Sequence, residues 1–397
     1  MLFDNKAKFD IPAGPIEILR LLNEAGYEAY LVGGCVRDAM RGDTPHDYDV
    51  TTNALPEEML SVFSGLRTIE TGLRHGTLTV LLDGEPFEVT TYRVDGVYED
   101  HRRPESVSFT SSLLADLRRR DFTVNAMAYH PALGLQDPFG GARDLADGII
   151  RAVGTPRDRF REDALRILRA LRFSARFGFS IEEETAKAAR DLAGTLGLIA
   201  AERVREELLG ILKAPAADKI LAEYADVLAT VIPEGGSTDV VLAGLDRDDV
   251  HLRLSAYLFT AGSRAAKEAL LRLRSDRATV RAVEATLALC EGGLPLQDAD
   301  ILRALRKYGK DALRRAVALS CATGKDVAAV WTRTELLLRE GACYMIPMLA
   351  VDGEALAAAG IPRDREMGKI LESLLDAVIC GECENEREEL LAYVKKK

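Results

Sequence analysis

The chain is poor in the residues on which small secreted or metal-stapled proteins are built. Six cysteines (Cys35, Cys290, Cys321, Cys343, Cys380, Cys383) are too sparse over 397 residues for a disulfide framework. Only Cys380 and Cys383 have ligand-like spacing. With neither a second such pair nor nearby histidines, they read as helix-end cysteines and no metal site is assigned to them. No run approaches the ~18 consecutive apolar residues of a membrane helix. Met1 to Phe9 is charged and lacks an apolar core, so no secretory signal and no membrane partner are expected, and the expected location is cytoplasmic. Low-complexity tracts and internal repeats are missing too, which excludes solenoids.

Net positive charge is also lacking. A formal charge of −11 is an awkward balance for a nucleic-acid binder, whose affinity rests on Lys and Arg neutralising phosphates. Locally the balance reverses: residues 157–176 hold seven arginines against three acids, and Arg118, Arg119 and Arg120 follow Arg102 and Arg103 at short range. What is present otherwise is ordinary globular material, 47% hydrophobic and 29% charged. The length exceeds what one core fills, so several domains are expected.

One stretch, Leu31 to Asn53, carries a recognisable chemistry. An apolar run from Ala29 to Val32 predicts a buried strand, and Gly33 and Gly34 remove side chains at its end. Cys35 to Met40 predicts a short helix. A helix N-terminus after bare glycine backbone suits phosphate, and Arg37 adds a planar fork of donors. After a turn at Gly42, Asp47 to Thr51 predicts a strand, with Tyr48 and Val50 facing the core. On a strand, side chains at i and i+2 share a face with Cα atoms roughly 6.6 Å apart, so Asp47 and Asp49 can converge on metal. Hard oxygen ligands beside a triphosphate imply Mg²⁺.

This order, GG-x-VRD at Gly33 to Asp38 followed by D-x-D at Asp47 to Asp49, resembles the superfamily that includes DNA polymerase β. Within it the chain is similar to the class II (bacterial/eukaryotic-type) tRNA nucleotidyltransferases, the CCA-adding enzymes. Further along, Pro15 to Ala25 predicts an opening helix. Leu55 to Glu57 predicts a helix start capped by Asn53 or Thr52. His75 to Leu82 and Glu85 to Tyr92 predict a hairpin around Asp83-Gly84. Phe87, Val89 and Thr91 then share one face and Glu88, Thr90 and Tyr92 the other. The resemblance makes Glu88 the third acid; a solvated strand glutamate is the alternative. Val94 to Phe109 predicts a mobile loop. Relatives that add CCA carry a similar loop, which leans against a CC-only enzyme.

Arg119 to Met127 matches the family's RRD-x-x-x-NA motif. The match implies that Asp121, with Arg120 and Asn125, contacts the nucleotide ribose; an Arg–Asp capping network is the alternative. Asp137 to Gly141 predicts a hinge-like turn. From Arg157 on, no strand is expected. A helix opening at Arg161 carries an apolar stripe of Leu165, Leu168, Leu171 and Ala175, with Arg166, Arg169 and Arg176 along another face. Asp163 and Arg166 are i,i+3 neighbours, by themselves a surface ion pair. The resemblance makes Glu162, Asp163 and Arg166 the base-selecting EDxxR motif, with Glu162 orienting Arg166, and gives Arg169 and Arg176 to tRNA. Glu202 to Glu206 resembles a motif that scaffolds the base-selecting helix. Some relatives append an HD-type phosphohydrolase domain, but only His251 of the five histidines lies beyond residue 130, so none is expected.

The expectation is thus an α+β (mixed α/β) nucleotidyltransferase head over 1–148 followed by an all-α C-terminal region. That region divides into a neck (149–208), a body (209–335) and a tail (336–397) that meets the tRNA elbow. The implied function is template-independent addition of CCA to tRNA from CTP and ATP, with pyrophosphate release by a two-metal mechanism. Neighbouring readings are a bacterial poly(A) polymerase, an A-adding or CC-adding enzyme, and a non-catalytic tRNA-binding protein. A small-molecule nucleotidyltransferase would leave the arginine-rich neck and long helical half without a use. No protein partner is expected.

Overall fold

The computed structural model describes residues 9–95, 107–236, 242–363 and 366–396. The chain divides into two compact units, Met1–Val231 and Ile232–Lys397. That division falls inside the segment expected as the body.

The first unit opens with α1 (Ala13–Glu24), which buries Ile18, Leu19 and Leu22, followed by the wholly buried β1 (Ala29–Val32). Gly33 then takes φ 73° and ψ −127°, a backbone conformation open to glycine alone, and starts α2 (Gly34–Arg41). Next come β2 (Asp49–Thr52), α3 (Pro56–Val62), β3 (Arg67–Ile69), β4 (Thr77–Leu82) and β5 (Glu85–Thr91). Asp83 and Gly84 both have positive φ, as a two-residue hairpin turn requires. The short β6 (Arg93–Asp95) and β7 (Val107–Phe109) pair with each other, and α4 (Leu113–Arg118) precedes a 3₁₀ turn at Thr123–Asn125. Two strands, β8 (Ala128–His130) and β9 (Gly134–Gln136), complete a seven-stranded sheet of order β3-β4-β5-β2-β1-β8-β9. Only β2 and β5 run parallel; the register sets Val50 beside Val89. Phe87, Val89 and Thr91 are buried and Glu88 is exposed, which is the alternation read from the sequence.

Four local expectations are corrected. The strand expected from Asp47 begins at Asp49, and Tyr48 is only half-buried, so Val50 alone of that pair faces the core. Neither Thr52 nor Asn53 caps α3. The Thr52 hydroxyl donates to the Glu28 carbonyl at 2.6 Å and the Asn53 side chain accepts from the Glu28 N–H at 2.8 Å. The Leu55 N–H is met instead by Glu58 at 2.7 Å. His75 closes a 3₁₀ turn and lies outside β4. Most of the predicted loop, 96–106, lies outside the described residues, but its two roots are the paired strands β6 and β7.

After β9 come α5 (Gly141–Asp147), β10 (Ile149–Ile150), α6 (Pro156–Glu162), α7 (Leu165–Phe177), β11 (Ser180–Ile181), α8 (Glu183–Asp191) and α9 (Ala201–Leu212). β10 and β11 pair in parallel, so the chain beyond Arg157 is not purely helical. Two residues are too few to show alternation in a sequence. The single helix expected from Arg161 is broken, because Asp163 is extended at φ −143° and ψ 103°. The apolar stripe Leu165, Leu168, Leu171 and Ala175 is buried, and Ile167, Ala170 and Ser174 are buried with it, against α9 among other elements.

In the second unit the described residues form helices and turns, packed around Ile301, Leu313, Leu356, Leu374, Leu375 and Leu390. His251 meets the Thr279 hydroxyl at 3.3 Å. All six cysteines are free thiols. No helix among the described residues is long and apolar enough to cross a membrane.

The turn that carries Asn125 is fixed by a close approach. A Cβ on Gly141, at the start of α5, would lie 2.1 Å from the Thr123 carbonyl oxygen. Gly141→Ala is expected to destabilise the first unit by about 1–3 kcal/mol, the range for overpacking. Urea unfolding followed by circular dichroism checks this; an unchanged midpoint would contradict it.

Candidate active site

One cleft of about 480 Å³ gathers most of the predicted site residues. Its floor is the end of β1 and the start of β2. Gly33 and Gly34 leave backbone bare there, and a Cβ on Gly33 would sit 3.1 Å from an Arg120 guanidinium nitrogen. Arg37 is buried, donating to Asp38 at 2.8 Å and to the Asn125 side-chain oxygen at 2.6 Å, with its guanidinium over the Phe177 ring at 4.9 Å. Burial pulls its pKa down and Asp38 opposes this only in part.

Asp47 and Asp49 line the cleft, Asp47 exposed and Asp49 half-buried. Burial, then the charges of Asp47 and Glu88, push the Asp49 carboxyl up to about 6, while Arg120 acts in the other direction. Glu88 does not line the cleft; the β2–β5 register places it on the exposed face beside Asp49. Among the described residues no three acidic, histidine or cysteine side chains are close enough to enclose a metal by themselves. Two acids with crowded negative charge and hard oxygens still fit a divalent ion that completes its shell with water and phosphate.

The cleft wall is a set of guanidiniums, each tied to an acid or a ring. Asp116, fully buried on α4, accepts two bonds from Arg119 at 2.9 and 2.8 Å and one from Arg120 at 3.3 Å. Burial alone would raise its pKa, but Arg120 and Arg119 hold it below the usual carboxylate range. Asp121 accepts from the Phe122 and Asn125 N–H groups at 2.8 and 3.1 Å and from the Arg169 fork at 2.9 and 2.6 Å. Its pKa is likewise lowered: burial is the largest single influence and acts upward, and Arg169 with Asn125 outweighs it. Arg172 meets Glu207 of α9 at 2.5 Å and covers Phe173. Arg176 is exposed over the Phe177 ring.

The break at Asp163 shapes the far wall. Its carboxylate accepts from the Leu165 N–H at the start of α7 at 3.0 Å and takes a second bond from Arg203 of α9 at 3.0 Å. Arg166 donates to Glu162 at 2.7 Å, to the Arg159 carbonyl at 3.2 Å and to the Arg119 carbonyl at 3.0 Å. Glu162 lies behind Arg166, lining a second cavity of about 330 Å³. So Gly33, Gly34, Arg37, Asp47, Asp49, Arg120, Asp121, Asn125, Asp163, Arg166, Arg169 and Arg176 share one cleft, while Glu88 and Glu162 stand outside its lining. Arg119, Arg172, Phe173 and Arg203 line it too and were not singled out from the sequence as site residues. The i,i+3 spacing of Arg166, Arg169 and Arg172 was the available signal for one of them.

The Poly A polymerase head domain family matches residues 29–151, and the family described as "Probable RNA and SrmB- binding site of polymerase A" matches residues 178–234. The chain is 35% identical over 394 residues to the CCA-adding enzyme of Lactobacillus delbrueckii subsp. bulgaricus, covering 95% of this chain and 96% of that protein. It is 37% identical over 391 residues to the CCA-adding enzyme of Geobacillus thermodenitrificans, covering 96% of each. A crystal structure of the Bacillus stearothermophilus CCA-adding enzyme in complex with CTP superposes with a TM-score of 0.81 at 29% identity, covering 97% of this chain and 98% of that one.

The Asp121–Arg169 pair yields a stability test. Asp121→Asn removes the acceptor for a charged fork and is expected to lower unfolding free energy by about 1–3 kcal/mol at neutral pH, towards the lower end because Arg169 stays partly exposed. A lowered folded pKa stabilises above the unfolded value of about 3.9 and loses that contribution as pH falls through the lowered value. Urea titrations of both proteins should therefore converge at acid pH. A gap independent of pH would contradict the ion pair.

Proposed function

The chain belongs to the CCA-adding enzyme family, and from that membership we propose how its own residues perform the family's reaction. It is a nucleotidyltransferase that adds CCA to the 3′ end of tRNA from CTP and ATP. The observation that carries the assignment of roles is that four separate motifs meet in one cleft: Gly33-Gly34, Asp47 with Asp49, Asp121 with Asn125, and Asp163 with Arg166.

Bare backbone at Gly33 and Gly34, with Arg37, receives the triphosphate. Asp47 and Asp49 would hold divalent metal, which the family uses, and Mg²⁺ in a two-ion arrangement is what we assign; Glu88, outside the cleft lining, adds its negative charge beside Asp49 from the adjacent strand. Bound there, the metal supplies activation of the primer hydroxyl and charge neutralisation for the departing pyrophosphate. Asp121, Arg120 and Asn125 face the ribose. Since the Asp121 oxygens already accept four bonds, a ribose hydroxyl must share them with Asn125 and Arg169. Arg176, exposed in the cleft, and Arg169 are assigned to tRNA phosphates.

Base choice falls to Asp163 and Arg166. Cytosine and adenine both present an amine beside an unprotonated ring nitrogen; a carboxylate accepts from the first and a guanidinium donates to the second. Uracil and guanine present a carbonyl beside an N–H and meet like against like. Each Asp163 oxygen keeps a lone pair beyond the one bond it accepts, and Arg166 keeps its Nε–H and one Nη2–H. We retain the division into head 1–148, neck 149–208, body 209–335 and tail 336–397, and a cytoplasmic location.

The test is product length on tRNA lacking CCA, lacking only the terminal A, or complete, with CTP and ATP separately and together. CTP alone should extend the first substrate to CC and both nucleotides to CCA, while complete tRNA stays unextended. Runs of A, or addition confined to CC or to A, would overturn the reading. Asp47→Ala and Asp49→Ala should each abolish addition and leave tRNA binding near wild type by filter binding. Near-normal turnover in either would remove the metal assignment.

A further inference from the structure

We propose that Arg159 is a positioning residue for base selection, setting the guanidinium of Arg166 through Glu162. The inference rests on the assignment of Asp163 and Arg166 to the base. It starts from what holds Glu162. One Glu162 oxygen accepts from Arg159 and the other from Arg166 at 2.7 Å, so a single carboxylate is shared by two guanidiniums.

Arg159 contributes twice more. Its main-chain carbonyl accepts from Arg166 at 3.2 Å, and its own guanidinium donates to the Arg118 carbonyl at 3.2 Å, one residue before the Arg119 carbonyl that Arg166 uses at 3.0 Å. Arg159 and Arg166 therefore grip two consecutive carbonyls at the end of α4. The α6 helix that precedes the break is keyed to the same backbone as the base reader.

Space explains why such a grip is needed. Glu162 and Arg159 line the second cavity, about 330 Å³, together with Leu114 and Arg118. Without Arg159, Glu162 has room to turn into that cavity, and a long carboxylate side chain gains rotamer freedom by doing so. Arg166 would then lose its charged partner and keep two neutral ones. Its free Nε–H and Nη2–H edge would no longer be held at one angle to the base, and a placement error of about 1 Å is enough to lower a rate a hundredfold.

The test uses the full chain and reads selectivity, a quantity that a purely structural role does not move. Relative kcat/KM is measured for CTP against UTP on tRNA lacking CCA, and for ATP against GTP on tRNA ending in CC. Arg159→Ala should lower both ratios by about tenfold, with tRNA affinity unchanged, because a tenfold loss lies within the discrimination that one good bidentate base contact supplies. Arg159→Lys, which keeps a charged donor for Glu162, should recover most of the loss. Glu162→Gln should resemble Arg159→Ala, and the double variant should be no worse than either, as expected of residues acting in series. If Arg159→Ala does not fold, Arg159→Gln replaces it with the same expectation. Wild-type ratios in the Arg159 variants, alongside lost selectivity in Arg166→Lys, would overturn the proposal and leave the base assignment standing. Wild-type ratios in Arg166→Lys as well would overturn both.

Discussion

Eight arginines line one cleft, and keeping them together is the constraint on which the rest of the first unit depends. Two like charges about 6 Å apart repel by about 3 kcal/mol at an effective dielectric constant of about 20, so unpaired guanidiniums would drive the walls apart. The structure answers with acids set among the arginines and behind them. Asp116 holds Arg119 and Arg120, Asp121 holds Arg169, Glu207 holds Arg172, Glu162 holds Arg166, and Asp163 holds Arg203. Each acid takes some of the donors and leaves others for the cleft. A net charge of −11 and an arginine-lined site are thus compatible, since part of the excess acid serves to space the arginines.

Spacing by buried carboxylates also preorganises. A guanidinium already fixed on two or three sides meets a phosphate or base without reorganising, which is where binding energy turns into selectivity. The break at Asp163 is central to this. In a continuous helix the Leu165 N–H would bond the Arg161 carbonyl and leave the Asp163 carboxylate without it. The extended residue instead lets Asp163 meet the first N–H of α7 and Arg203 of α9, while Glu162 stays behind Arg166. Arg120 ties the floor of the cleft to its wall: it lies against Gly33, pairs with Asp116 and acts on Asp49.

Elements set by local chemistry were legible in the sequence. The Asp83-Gly84 turn, the strand before Gly33 and the alternation along Phe87 to Thr91 depend on neighbours in the chain, and they stand where their patterns put them. What the sequence could not disclose depends on distant partners. No Gly or Pro marks Asp163, whose extended backbone is supported by Arg203, 40 residues on. The Asp121–Arg169 fork spans 48 residues and gives Asp121 a settled partner that motif matching does not reveal. Thr52 and Asn53 looked like helix caps but were already committed to Glu28. Arg203 belonged to a stretch read as scaffold, and it lines the cleft as well.

Choice of the base by protein side chains, with no nucleic-acid template, is what the proposed role of Asp163 and Arg166 demands. The most direct measurement is nucleotide preference in the reversed pair, Asp163→Arg with Arg166→Asp, on tRNA lacking CCA. Reversing acceptor and donor should impair use of CTP and ATP and shift preference towards UTP or GTP. A reversed protein that folds, binds tRNA and still strongly prefers CTP and ATP would place base selection outside Asp163 and Arg166.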